Sequence, residues 1–95
     1  MLTGKQRAAL RSAANRLDTI GQIGHGGITP ETVKSVKDAL CARELVKYRV
    51  LETSPVSARE AADALSEQIG CEVIQVIGTK FVLFLQKEKD SKFVI

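Results

Sequence analysis

Side chains that carry chemistry are scarce in this sequence. Its 95 residues include no Trp, one His and two Cys, which is too few for a zinc site of four Cys or His ligands. Two widely spaced cysteines also fall short of the cysteine density of small secreted scaffolds. We therefore expect Cys41 and Cys71 to be buried, reduced thiols, and we expect no metal ion and no other cofactor.

Signals for export and for membrane insertion are also missing. Residues 1–5 contain no apolar stretch that resembles a signal peptide. The most apolar segment, residues 73–85, is interrupted by polar residues and glycine, and it is too short to cross a bilayer. We expect a soluble, cytoplasmic protein that has no membrane partner.

Familiar catalytic arrangements are absent. Covalent catalysis usually needs a nucleophile, a base and a group that orients the base, but the single His25 lies in a glycine-rich segment away from both cysteines. The sequence contains neither the GxxxxGK[ST] phosphate loop nor the GxGxxG dinucleotide motif. We expect no enzymatic activity and no small-molecule substrate.

The charge is unevenly distributed along the chain. Residues 1–50 contain nine basic and four acidic side chains, whereas residues 51–95 contain five basic and seven acidic ones. A surface with one positive side suits a polyanion such as nucleic acid. Ordinary solvation of an uneven surface is the alternative interpretation.

Apolar residues at helical spacing predict three helices, each of which begins after a good N-cap residue. The predicted helices cover residues 4–17, 30–42 and 58–69, and their N-caps are Thr3, Thr29 and Ser57. Pro30 suits the first position of the second helix, and Ser57 with Glu60 forms a capping box for the third. Gly70 is placed to end the third helix in a left-handed conformation.

Alternating or continuous apolar runs predict four strands, over residues 19–23, 44–51, 72–77 and 81–86. Val46, Tyr48 and Val50 share one face of the second strand, and Lys47 and Arg49 share the other. The last two strands join at a tight turn around residues 78–79. Because their apolar residues fall on both faces, we expect both strands to lie centrally in the sheet.

The element order is α-β-α-β-α-β-β, which predicts an α/β fold with a four-stranded mixed sheet and three helices packed against it. We expect the whole chain, residues 1–95, to form a single domain, in which residues 87–95 are a flexible tail. Tyr48, Phe81 and Phe84 are predicted core residues. Few aromatic side chains then remain for stacking on bases, which favours recognition of RNA backbone and shape.

The glycine-rich bend at residues 24–27, Gly-His-Gly-Gly, is the most informative motif. A GxxG loop lets the backbone turn tightly and approach another backbone, so its amides can face a phosphate beside the positive end of the next helix. KH-type domains clamp nucleic acid with such a loop. A plain strand-to-helix turn that needs a flexible backbone is the alternative, and residues 21–24 are a second GxxG match.

Three pairs of basic residues lie in the half of the chain that contains this bend. They are Lys47 with Arg49 on a strand, Arg7 with Arg11 on the first helix, and Lys34 with Lys37 on the second helix. Each pair alone is also compatible with a solvated surface. Together with the bend, they predict one surface that contacts phosphates.

Four motifs, in order along the chain, resemble the CRM domain family (chloroplast RNA splicing and ribosome maturation). They are LTGKQR at residues 2–7 followed by Leu10 and Arg11, IGHGGIT at 23–29, ELVKYRV at 44–50, and QVIG with VLF within 75–84. The resemblance spans nearly the whole chain and implies a fold like that of the C-terminal domain of translation initiation factor three.

The resemblance also implies RNA binding through the GxxG loop and neighbouring basic residues. A chain with one such domain is similar to the stand-alone bacterial, YhbY-like form, which is associated with precursors of the large (50S) ribosomal subunit. We therefore expect a monomer that binds ribosomal RNA or pre-50S particles and assists assembly. The candidate RNA-binding residues are Gly24, His25, Gly26, Gly27, Lys47, Arg49, Arg7, Arg11, Lys34, Lys37 and Lys5.

Two other function classes stay open. The first is a protein-interaction adaptor, in which the sheet edge or the second helix docks on another protein. The second, more remote, is an RNA-modifying enzyme, for which the sequence shows no cofactor site. If RNA binding is correct, Asp in place of Gly26 or Gly27 is expected to weaken it while leaving the fold intact, on the condition that the site tolerates a side chain.

Overall fold

A computed structural model of the chain describes residues 3–85. It contains the predicted elements in the predicted order, and the proposed tail at 87–95 lies outside the described residues. The elements are α1 (Gly4–Ala14), β1 (Gly21–Ile23), α2 (Pro30–Arg43), β2 (Leu45–Val50), α3 (Ala58–Ile69), β3 (Glu72–Ile77) and β4 (Lys80–Phe84).

The helix ends follow the capping residues. Thr3 and Ser57 each form a capping box, and Thr29 accepts a hydrogen bond from the Thr32 amide. Gly70 ends α3 with φ 83° in the left-handed region, as predicted. Helix α1 ends at Ala14 rather than at residue 17, because residues 16 and 17 form tighter turn bonds to the carbonyls of residues 13 and 14.

The four strands form one mixed sheet in the order β1-β2-β4-β3. β1 runs parallel to β2, and the other two pairings are antiparallel. The expectation that both final strands lie centrally is correct for β4 and wrong for β3, which forms an edge. β3 is nevertheless apolar on both faces because Ile74 packs with the α1 cluster, while Val73 and Val76 pack on the opposite side.

The helices cover the sheet on both faces. α2 and α3 pack on one face over the larger apolar cluster, where the rings of Tyr48 and Phe81 stack with centroids 5.9 Å apart. On the other face Leu10 and Ala14 of α1 pack with a smaller cluster that includes Phe84. The three predicted core aromatics are therefore all buried, although they lie on two sides of the sheet.

One part of the α1 face carries no helix. Toward the end at which β1 leads into α2, four residues of the sheet are exposed: Gln22, Arg49, Ile77 and Lys80. The register places Gln22 beside Arg49, Arg49 opposite Lys80, and Lys80 opposite Ile77. This row crosses all four strands, and we call it the open sheet patch.

Helix α2 passes directly into β2 through Glu44. This residue is buried and is the one non-glycine residue with positive φ, 67°, in the described part of the chain. Its amide donates to the Leu40 carbonyl and its carbonyl accepts from the Leu85 amide, both at 2.8 Å. The corner therefore joins the end of α2, the start of β2 and the end of β4.

The two thiols differ in exposure. Cys71 is buried and free, whereas Cys41 is free but exposed on α2. The prediction that both cysteines are buried is therefore wrong for Cys41, which follows the buried Leu40 on the outer side of the helix. None of the helices within residues 3–85 is both long and apolar enough to cross a membrane.

Candidate nucleic-acid interface

The bend at residues 24–27 is a tight turn at the end of β1. The Gly27 amide donates to the Gly24 carbonyl at 3.0 Å, which places His25 and Gly26 at an exposed tip. Among residues 3–85, no hydrogen-bond acceptor pairs with the His25 or Gly26 amide. Two main-chain donors are therefore open to a ligand.

The three glycines of this turn differ in backbone conformation and in the space available for a side chain. Gly27 is buried with φ 65°, and a Cβ atom there would lie 3.0 Å from Pro55 Cγ. At Gly24 and Gly26 the nearest atom would be 3.9 Å away, and neither has positive φ. The flexible-turn interpretation accounts for Gly27 alone. The condition that the site tolerate a side chain is accordingly met at Gly26 but not at Gly27.

The second GxxG match, at residues 21–24, is not a loop. Gly21 begins β1, and a Cβ atom there would lie 2.5 Å from Tyr48 Cε1. Glycine at this position lets the Tyr48 ring lie against the backbone of β1. The structure therefore places the exposed loop at residues 24–27.

Helix α2 starts immediately after the loop. Its N-terminus carries the positive end of the helix dipole, which favours a nearby anion. Pro30 occupies the first turn and has no amide hydrogen, and Thr29 Oγ1 accepts from the Thr32 amide at 3.1 Å. Glu31 in the same turn reduces the positive field. The exposed His25 and Gly26 amides add two main-chain donors at this end of the helix.

Arg49 lies beside the loop. It pairs in register with Gln22, two residues before Gly24, and its Nη2 donates to Gln22 Oε1 at 3.3 Å. Lys47 lies on the same face of β2, half-buried and one step farther from the loop. The two cations therefore share the sheet face that Val46, Tyr48 and Val50 do not occupy.

The other predicted cations lie in different places. Lys34 and Lys37 are exposed on α2, and Lys5 and Arg11 are exposed on α1. Arg7 donates to the Val73 carbonyl at 2.7 Å and forms an ion pair with Glu72 at 3.0 Å. These partners begin β3, on the sheet edge away from β1 and at the opposite end from the loop. The structure does not bring Arg7 to the loop.

Lys80 is a cation of this region that sequence reasoning missed. It starts β4 directly opposite Arg49 and is exposed. Its only sequence signal is its position at the end of the hairpin turn. The pairing of β4 with β2, which brings it to Arg49, links residues that are 31 positions apart in the chain and is not visible in local patterns.

Comparison with known proteins gives consistent matches over almost the whole chain. Residues 2–84 match the CRS1/YhbY (CRM) domain. A Bacillus subtilis protein named "Probable RNA-binding protein YqeI" is 37% identical over 92 residues, which cover 97% of this chain and 96% of that protein. A Haemophilus influenzae protein named "RNA-binding protein" is 25% identical over 88 residues, with 93% and 89% covered.

The fold also matches a solved structure. The solution structure of a Staphylococcus aureus protein, named as a candidate RNA-binding protein, superimposes on this chain with a TM-score of 0.82 at 40% identity. The match covers 100% of this chain and 99% of that protein. It supports the order of the helices and strands described above.

Proposed function

The chain belongs to the CRS1/YhbY (CRM) domain family, and from this membership we propose that it is an RNA-binding protein. In the more specific form of the proposal, the loop at residues 24–27 and nearby cations hold the backbone of ribosomal RNA in precursors of the large subunit. Two of the relatives compared above carry RNA binding in their names. The ribosomal part of the proposal rests on the resemblance to the stand-alone YhbY-like form.

The loop tip carries the proposal. His25 and Gly26 are exposed and their amides have no acceptor within residues 3–85, so a phosphate oxygen can accept from them. A Cβ atom at Gly24 or Gly26 would meet no atom closer than 3.9 Å, so the fold itself does not require glycine at these two positions. Glycine at such positions is explained if another backbone approaches the loop closely.

The charges beside the loop support the same function. Arg49 is exposed, and Gln22 holds its guanidinium next to the strand that enters the loop. A guanidinium binds phosphate through two parallel hydrogen bonds. Lys34 and Lys37 add exposed positive charges on α2, the helix that follows the loop. This arrangement can hold a backbone without reading bases, as expected for binding by shape.

The test compares Gly26→Asp with Gly26→Asn. The two side chains have nearly the same size, so the pair isolates the added negative charge at a position where a Cβ atom meets nothing closer than 3.9 Å. We expect Asp to weaken binding of a structured ribosomal RNA fragment about tenfold more than Asn, measured by fluorescence anisotropy at several salt concentrations. Unfolding curves check that both variants stay folded.

Folded Asp and Asn variants that both bind as tightly as the wild type would remove the loop from the mechanism. The ribosomal target is tested separately, by crosslinking in cells and sequencing the bound RNA, which we expect to recover RNA of the large subunit. Association with ribosomal particles that survives ribonuclease and high salt would instead favour a protein-interaction adaptor.

A further inference from the structure

Three depressions on the molecular surface adjoin one another along β2. Their volumes are about 380, 240 and 230 Å³, and each pair of neighbours shares lining residues. Ile20 lines the first two, Lys47 lines the second and third, and Lys80 lines the first and third. The three depressions therefore form one continuous surface, which includes all four residues of the open sheet patch.

The lining of this surface is strongly basic. Its five cations are Arg16, Arg43, Lys47, Arg49 and Lys80, and we call them the basic track. Asp18 is the one acidic residue that lines any of the three depressions. Five cations against one carboxylate make a surface complementary to a polyanion.

Two of these cations are held close together at the loop end. Arg49 and Lys80 are direct cross-strand neighbours, an arrangement that is unfavourable for like charges. The hydrogen bond to Gln22 fixes Arg49 on this surface. An anionic group that binds between the two side chains would relieve their repulsion, so this pair marks a point where a phosphate fits.

The same surface carries exposed apolar side chains. Ile20 and Ile77, 39% and 62% exposed, are the exposed large apolar residues of the described chain. Ile20 lines the first two depressions and Ile77 lines the third. A ligand that fits must therefore present anionic groups and apolar faces side by side. Unpaired nucleotides do so, whereas a duplex stacks its bases inside and offers mainly backbone.

We propose that an unpaired segment of RNA lies along the basic track, with phosphates on the cations and base or sugar faces on Ile20 and Ile77. This inference rests on the proposed RNA-binding function and names the form of RNA that this surface takes. β2 has six residues, so the track is about 20 Å long and reaches the loop end of the sheet. A strand could therefore continue from the track onto the loop.

The test uses the full chain and two RNA probes. The first is an unpaired oligonucleotide of about ten nucleotides, a length within known single-strand site sizes. The second is a hairpin that contains the same nucleotides in paired form. The variants are Lys80→Ser and Ile77→Ser, both at exposed positions. The matched control is Arg59→Ser, which removes one positive charge from α3 on the opposite side of the sheet, where Arg59 pairs with Asp63 at 3.7 Å.

We expect Lys80→Ser to weaken binding of the unpaired probe about tenfold relative to Arg59→Ser. It should also lower the salt slope by about 0.7, the value for one phosphate contact on a single strand. Ile77→Ser should weaken the unpaired probe and leave the hairpin unaffected, because only unpaired nucleotides offer apolar faces. A double variant, Arg16→Ser with Arg43→Ser, should lower the salt slope further.

If the wild type binds RNA but the Lys80→Ser and Arg59→Ser variants have equal affinity for the unpaired probe, this inference is overturned. The proposed function is then unaffected. An Ile77→Ser variant that binds both probes like the wild type would overturn the choice of an unpaired strand. A wild-type chain that binds neither probe nor a structured ribosomal RNA fragment would instead overturn the proposed function, and this inference with it.

Discussion

Arg49 on β2 and Lys80 on β4 lie directly opposite each other in the antiparallel pairing of the two strands. Both side chains are exposed on the part of the sheet face that α1 does not cover. Opposite charges at such a pair stabilise a sheet and like charges destabilise it. The chain thus carries an unfavourable pair where a compensating acidic residue would fit. This is expected if the site serves a ligand rather than stability.

The Lys80→Gln variant should therefore be more stable than the wild type. We expect the free energy of unfolding to rise by about 0.2–1 kcal/mol at low ionic strength, with a smaller gain as added salt screens the repulsion. Urea unfolding at two salt concentrations measures both effects. Arg59→Gln, which removes a cation that already has an acidic partner, should show no gain. A Lys80→Gln variant that is less stable would contradict the interpretation.

Exposed Gly26 and buried Gly27 should respond differently to alanine. Gly27→Ala should lower the free energy of unfolding by about 1–2 kcal/mol, because alanine is strained at φ 65° and its Cβ would press on Pro55. Gly26→Ala should change stability by less than about 0.5 kcal/mol. Thermal or urea unfolding distinguishes them. Equal stability of the two variants would show that Gly27 does not need its left-handed backbone.

Arg7 should matter for folding more than its neighbour Arg11. Arg7→Gln loses a 2.7 Å hydrogen bond to Val73 and the ion pair with Glu72, which together should cost about 1 kcal/mol after discounting for partial exposure. Arg11 is exposed one turn later on α1, and Arg11→Gln should be close to neutral. If urea unfolding ranks the two variants as equal, the contacts of Arg7 do not stabilise the fold.

The two cysteines should react with thiol reagents at very different rates. Burial raises the pKa of the Cys71 thiol from 9.0 to about 11, and its thiolate is therefore rare in the folded protein at neutral pH. We expect iodoacetamide at pH 8 to label exposed Cys41 quickly and Cys71 only after unfolding. Mass spectrometry of the labelled peptides measures both rates. Fast labelling of Cys71 in the folded protein would contradict its burial.

The same pKa shift predicts weaker stability at high pH. Between pH 9 and about pH 11 the folded state retains the Cys71 proton while the unfolded state loses it. The unfolded state then binds fewer protons, so stability falls as pH rises through this window. Burial raises the pKa of Tyr48 as well. A Cys71→Ala variant should lose less stability over this range than the wild type does.

Features encoded by neighbouring residues could be predicted from the sequence. The N-caps at Thr3, Thr29 and Ser57, and the helix end at Gly70, depend on hydrogen bonds and backbone angles within a few residues, and the structure confirms all four. Their physical basis is local, so their sequence patterns are sufficient.

Features that depend on strand order could not be predicted in this way. The α-β-α-β-α-β-β order is compatible with either final strand at the edge, and only the insertion of β4 beside β2 places Lys80 against Arg49. The partner of Arg7, Glu72, is 65 residues away in the chain. Arg7 therefore had the same sequence signal as Arg11, although the fold gives it different surroundings.

The corner at Glu44 has a consequence for how quickly and how specifically the protein can recognise a ligand. Because α2 continues into β2 without a linker, and β1 is hydrogen-bonded to β2, both sides of the glycine loop are tied to the strand that bears Lys47 and Arg49. The protein surface is thus preorganised, and if it binds RNA as proposed, the change of shape on binding occurs mainly in the RNA. Association should lose little conformational entropy on the protein side, and a ligand of the wrong curvature would be rejected rather than accommodated.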